Sequence, residues 1–238
     1  LRTPLTPIVA AVRLLEIRHA LPADAQATLE LIRRNVELEA RLIDDLLDLT
    51  SIARGKLSLN FANVELETLM SSAIDMSESD LRGKGLTLET TLGATSTLVF
   101  GDAARLQQIV WNLMKNAVKF TPAGGRIAVR MWNPDASTIA ISVTDSGIGI
   151  SAEALPRIFS AFEQADDSIT RAFGGLGLGL AIASTLALKH GGTLTAQSDG
   201  RDKGARFTLT LPLVKSGAED ETSPLAAKDP DEIVRSLK

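Results

Sequence analysis

From Leu1 to Ala53, apolar side chains return every three or four positions, and this periodicity constrains the fold more than any other feature of the chain. Leu1, Leu5, Ile8, Val12, Leu15 and His19 follow one another at spacings of four, three, four, three and four. Such a seam runs along one helix face and packs as in a coiled coil. LPAD at 21–24 interrupts it, with Pro22 breaking the helix and Asp24 a candidate cap for the next one. Leu29, Ile32, Val36, Ile43, Leu46 and Ala53 keep the heptad register, with Glu39 and Thr50 as polar interruptions, and Gly55 ends the second helix near Arg54. Two amphipathic helices cannot bury both seams alone, whereas two hairpins paired into a four-helix bundle can. The expectation is a homodimer through residues 1–54.

Beyond Gly55 the period changes repeatedly. VELETLMSSAIDMSESDL (64–81) is patterned as a helix and GLTLETTL (85–92) as a strand. DAARLQQIVWNLMKNAVKF (102–120) is a strong helix, with Leu106, Ile109, Val110, Leu113 and Ala117 on its apolar side. RIAVRMW (126–132) and TIAISVT (138–144) alternate at period two and are joined by NPDA, a hairpin signal. A helix at 177–190, stopped by Gly191 and Gly192, and strands at 193–198 and 205–213 complete the pattern. Together these predict an α+β two-layer sandwich over 57–213, its sheet mixed but mostly antiparallel, with helices on one side. Residues 214–238 form an acidic linker or tail, whose last ten residues could begin another helix.

Composition narrows the function. The net charge of −4 argues against a dedicated nucleic-acid binder. The absence of cysteine excludes disulfides and thiolate metal sites and suits the cytoplasm. No apolar run approaches the ~20 residues of a membrane span, so any membrane part would lie outside these residues.

Three stretches carry chemistry. In NLMKNAVK, Asn112, Asn116 and Lys119 share one helix face, distinct from the apolar one. Two carboxamides and an ammonium in line suit a hydrated divalent cation with polyphosphate, although a solvated face has the same composition. In TDSGIGIS, Asp145 ends an alternating strand and Gly147 and Gly149 allow a close turn. A carboxylate there can accept a hydrogen bond from an exocyclic amine such as that of adenine, or simply end a strand. In GGLGLGL, four glycines precede a helix whose N-terminal amides can hold an anion. The irregular segment before it, from about 151 to 173, has the character of a glycine-hinged lid, with Phe159 and Phe162 as candidate anchors. It is not a Walker A loop, since no Gly-Lys-Ser/Thr follows.

Taken in order, these stretches resemble the catalytic core of sensor histidine kinases. NLMKNAVKFTP resembles that family's N box, DSGIGI its first glycine box, IFSAFEQAD its F box and RAFGGLGLGLAIA its second glycine box. HGGTLTAQSDGRDKGARFTLTLP follows as in many members, and LRTPLTPI resembles the start of the phosphoacceptor helix. The resemblance covers residues 1–213. It implies a dimeric four-helix bundle built from hairpins 1–56, followed by the GHKL (Bergerat) ATP-binding fold shared with DNA gyrase.

What the resemblance implies can be placed residue by residue. ATP and Mg²⁺ are the cofactors. Asn116 matches the metal ligand, Asn112 and Lys119 the phosphate side, and Asp145 the adenine-reading carboxylate. Gly147, Gly149, Gly175, Gly177 and Gly179 match loop glycines, with Ile150, Phe159, Phe162 and Leu178 beside them. Leu176 stands where many members have Thr, and Arg171 is placed to meet the terminal phosphate. The acceptor histidine is expected two positions before Leu1, with an acidic residue between. Thr3 matches the position linked to dephosphorylating the partner, and Pro4, with Pro7 after it, a helix bend. His19 on the seam and His190 at a helix end are expected to be structural. The implied partner is a response-regulator receiver domain, and the implied location is the cytoplasm, free or as part of a membrane-bound sensor. A dimeric ATP-binding scaffold without kinase activity and a gyrase-like hydrolytic ATPase are the alternatives.

Overall fold

The computed structural model describes residues 5–18, 22–163 and 177–214. The chain divides into two compact units, Leu1–Ser58 and Leu59–Lys238.

In the first unit α1 (Leu5–Arg18) packs on the 31-residue α2 (Ala23–Ala53) as a hairpin. Pro22 occupies the N-cap position, so the expected cap at Asp24 is corrected. Asp24 lies inside the first turn, where its carboxylate accepts from the Ala25 N–H at 2.9 Å and favours the positive end of the helix dipole. At the far end Gly55 turns left-handed (φ +63°), and its N–H and that of Lys56 satisfy the Ile52 and Ser51 carbonyls. Val12 and Val36 are buried, but Ile8, Leu15, Ile32 and Leu46 remain 39–45% exposed along the seam. Leu1 and His19, which extend that seam in the sequence, lie outside the described residues.

The second unit is built on a five-stranded sheet of order β2-β4-β5-β7-β6: β2 (Thr87–Leu92), β4 (Arg126–Asp135), β5 (Thr138–Asp145), β6 (Thr193–Gln197) and β7 (Ala205–Pro212). β2 runs parallel to β4 and every other pair is antiparallel, so the sheet is mixed as expected. The helices α3 (Leu66–Gly83), α4 (Ala103–Phe120) and α5 (Gly179–Lys189) cover one face. Register explains which face. Val129, Val143 and Phe207 align across three strands, as do Met131, Ile141 and Leu209, and all six are buried. The alternate residues Arg130, Thr144, Thr208 and Thr210 lie on the other face and stay partly or fully exposed.

Two short strands, β1 (Ala62–Glu65) and β3 (Leu98–Gly101), pair antiparallel outside this sheet. The sequence pattern places residues 64 and 65 in the following helix and marks no strand at 98–101. Each strand is only four residues long, too short for alternation to register. Their junction with α4 is held by His190, which is buried behind the C-terminus of α5. Its Nε2 accepts from the Asp102 N–H at 3.0 Å and its Nδ1 faces the Leu186 carbonyl at 2.7 Å. A backbone N–H can only donate, so Nε2 carries no proton and the ring is neutral. Burial pushes its pKa below the ordinary value in the same sense.

Candidate functional site

Ile139, Ile141 and Val143 occupy alternate positions on the helix-facing side of β5, and Asp145 is the next residue in that row. Period two therefore places a carboxylate where an apolar side chain would pack. Asp145 is 8% exposed, and burial raises its pKa despite hydrogen bonds from the Gly147 and Ala205 backbone. A buried carboxylate is costly without compensating partners. The Gly147 N–H supplies one, donating to Oδ1 at 2.8 Å.

The turn that follows is packed against backbone on both sides. A Cβ on Gly147 would lie 2.4 Å from the Phe120 carbonyl oxygen, and one on Gly149 (φ +67°) would lie 2.0 Å from that of Gly200. The Ile148 N–H donates to the Phe120 carbonyl at 3.2 Å, tying the turn to the last residue of α4. From the other side the Asp202 and Gly204 N–H groups donate to the Ile148 and Gly147 carbonyls. The N–H groups of Gly147 and Ile148 are thus already engaged within the protein, so this turn is not a phosphate cradle; it frames the carboxylate.

α4 begins with Asp102 as N-cap, whose side chain accepts from the Arg105 N–H at 3.1 Å. Burial pushes the Asp102 pKa up, but hydrogen bonds from the Asn60, Arg105 and Ala104 backbone outweigh it and hold the carboxyl below its ordinary value. At the other end the Lys84 ammonium caps three carbonyls, those of Val118 (2.7 Å), Lys119 (3.0 Å) and Thr121 (3.2 Å). Both ends of the helix that carries Asn112, Asn116 and Lys119 are therefore fixed.

That helix face is not a solvated one. Asn112 is buried, and its Nδ2 donates to the Gly179 carbonyl at 3.1 Å, joining α4 to the first residue of α5. Asn116, one turn on, is half-buried, and so is Lys119, whose Nζ sits 4.7 Å from the centre of the Phe120 ring. Burial holds the Lys119 pKa below its ordinary value. Leu178, 1% exposed, seats the start of α5 as its N-cap residue and makes no side-chain cap hydrogen bond, and Gly177 precedes it at φ +70°. Among the described residues no group of three or more His, Cys, Asp or Glu could hold a metal ion. A cation beside Asn116 would need oxygen ligands from a phosphate and water, as magnesium commonly has.

The structure thus brings Asn112, Lys119, Asp145, Gly147, Gly149 and Gly179 into one connected arrangement, through Phe120 and through the Asn112–Gly179 bond. Ile150 borders it, half-buried. Phe159 is half-buried, whereas Phe162 is 64% exposed at φ +65°, so among the described residues it is not packed as the expected anchor. Thr3, Pro4, Arg171, Gly175 and Leu176 lie outside the described residues. Sequence patterning missed Lys84 and the 198–204 loop, whose contacts are made with segments more than thirty residues away.

Comparison with known proteins shows the family. Residues 101–215 match the family model described as histidine kinase-, DNA gyrase B- and HSP90-like ATPase, and residues 1–55 match the His Kinase A (phospho-acceptor) domain. The chain belongs to the histidine kinase family. It is 35% identical over 220 residues to hybrid signal transduction histidine kinase D of Dictyostelium discoideum, covering 80% of this chain and 14% of that protein. It is 34% identical over 225 residues to the aerobic respiration control sensor protein ArcB of Escherichia coli (strain K12), covering 92% and 28%. Among solved structures, full-length ShkA in complex with AMPPNP superposes with a TM-score of 0.73 at 30% identity, covering 91% of this chain and 44% of that one. The chain thus spans under a third of the length of these two curated relatives.

Proposed function

We propose that this chain binds ATP with magnesium at the arrangement around Asp145 and α4, and transfers the γ-phosphoryl group to a histidine two positions upstream of Leu1. The phosphoryl group then passes to an aspartate of a response-regulator receiver domain. The observation that carries the proposal is the buried Asp145, a carboxylate in an apolar row beside a turn whose Gly147 and Ile148 amides are already engaged. Such a group suits a neutral amine donor, and the exocyclic amine of adenine is one.

The remaining residues fit the other end of the nucleotide. The N-terminus of α5, with Gly177, Leu178 and Gly179, offers amides to phosphate, and Asn112 holds it in place. Lys119 is a cation that burial disfavours and an anionic ligand would restore. Asn116 is assigned to ligate magnesium, which would neutralise charge on the phosphates. Arg171 is assigned to the terminal phosphate, Gly175 and Leu176 to the loop over it, Ile150 and Phe159 to the border of the pocket, and Thr3 to dephosphorylation of the regulator. In the transfer the bond from the γ-phosphorus to the ADP oxygen breaks as one to the imidazole nitrogen forms. The protein's part is positioning and charge stabilisation. The half-exposed seam of the hairpin supports a homodimer, and the work is assigned to the cytoplasm. Among the described residues no helix is long and apolar enough to cross a membrane.

The test uses a chain extended upstream by about thirty residues, roughly eight helical turns, incubated with labelled ATP and magnesium. Acid-labile, alkali-stable phosphate is expected, lost when the residue two before Leu1 is replaced. ATP bound without label would overturn transfer and leave a nucleotide-binding scaffold. Asn116→Asp should weaken magnesium-dependent ATP binding by about tenfold or more; unchanged affinity would remove Asn116 from its role.

A further inference from the structure

The loop between β6 and β7, residues 198–204, contributes no group to the chemistry above, yet it is bonded to the glycine turn along its length. At its base is the Ser198 hydroxyl. It accepts from the Ile150 N–H at 2.9 Å, donates to the Gly204 carbonyl at 2.6 Å and has the Gly200 N–H at 3.4 Å. A hydroxyl has one proton and two lone pairs, so its capacity is full.

We propose that Ser198 is a positioning residue for base recognition: it fixes the far end of the 147–150 turn and, through that turn, the orientation of the Asp145 carboxylate. The near end of the turn is anchored independently, by Gly147 on Asp145 Oδ1 and by Ile148 on Phe120. Ile150, at the far end, is bonded to Ser198 Oγ. Between them Gly149 allows close approach to the Gly200 carbonyl, which holds only while the 198–204 loop keeps its shape. That shape depends on the same hydroxyl, through Gly204 and Gly200. Gly204 in turn lies against Asp145, since a Cβ there would stand 2.0 Å from the Asp145 carbonyl oxygen. One side chain therefore sets both the turn and the backbone packing at the strand end that carries Asp145.

Because this presupposes the nucleotide site proposed above, the readout is base discrimination rather than binding alone. Inosine triphosphate carries a carbonyl where adenine carries the amine and is otherwise alike at the phosphates. Both nucleotides are titrated with magnesium against the 238-residue chain and its variants. The wild-type chain is expected to prefer ATP, and Ser198→Ala to narrow that preference about fivefold, mainly by weakening ATP. Ser198→Thr, which keeps the hydroxyl, should restore the preference to within about twofold. Amide exchange at Ile150 should quicken in the alanine variant alone. An unchanged ATP-to-inosine ratio in Ser198→Ala, or equal loss for both nucleotides, overturns the role of Ser198 while leaving the site intact. A wild-type chain that binds neither nucleotide, or both equally, removes base reading by Asp145 and this inference with it. Should Ser198→Ala fail to fold, the threonine variant and the Ile150 exchange rate decide: discrimination lost with the hydroxyl present overturns the proposal.

Discussion

In the helical hairpin, Val12 and Val36 are the described apolar side chains that reach burial, whereas in the α/β unit Ile109, Leu113, Ile127 and Val143 are completely shielded. The hairpin spends 31 residues on α2 and leaves Leu31, Ile32, Leu46 and Leu47 between 39% and 61% exposed. Helices without a second layer have nothing to bury a seam against, and a sheet with helices on one face does. In the homodimer proposed above, the stability of the hairpin rests on a second copy and should rise with protein concentration, while the α/β unit carries its own core. Nucleotide binding and dimerisation should accordingly fail separately.

The most severe break is expected from Gly149→Ala. The backbone sits at φ +67°, and a Cβ would meet the Gly200 carbonyl oxygen at 2.0 Å, so neither side can yield without opening the turn. ATP affinity should fall by about 100-fold or more, in line with the cost of strain at such positions. The mass measured by light scattering should be unchanged, and loss of the dimer in this variant would show the two units to be coupled. The reverse case is Leu46→Glu on the hairpin seam, which should raise the dimer dissociation constant by roughly tenfold to a hundredfold. ATP titrations of that variant should match those of the parent chain, and a weakened affinity would again argue for coupling.

A smaller effect sharpens the comparison by pH. The neutral, buried His190 has a folded pKa below its ordinary 6.5. Between the two values the unfolded chain binds more protons, so stability falls as pH drops from 6.5 through the folded value. The slope should not exceed about 1.4 kcal/mol per pH unit. Asp145, raised by burial, acts oppositely: stability falls as pH rises from 3.8 through its folded value. Trp111 and Trp132 both lie in the α/β unit, so tryptophan fluorescence during chemical unfolding follows that unit. His190→Gln should flatten the decline below pH 6.5, and an unaltered slope would place the titrating group elsewhere.

Much of the site was legible because its residues break local patterns. Asp145 interrupts an apolar row at the position where period two calls for another apolar residue, and the spacing of Asn112, Asn116 and Lys119 marks a helix face apart from the apolar one. Patterning could not tell whether that face met water or protein. The answer lies in Gly179, 67 residues away, whose carbonyl receives the Asn112 amide. Phe162 shows the opposite failure: an aromatic residue in a loop reads as an anchor, yet among the described residues its ring is left 64% exposed.

The sequence by itself determined the order of the three helices and of the five strands of the main sheet in the α/β unit, the unsatisfied seam of the hairpin and the residue types available for chemistry, because each depends on periodicity within about ten neighbours. Tertiary structure alone decided the partners. His190 meets Asp102 across 88 residues, Lys84 caps α4 from 34 to 37 residues away, and Ser198 reaches Ile150 across 48. These pairings follow from strand register and from close packing between distant segments. A hydrogen-bond donor specifies the chemistry of its acceptor, and the fold specifies which acceptor comes within reach.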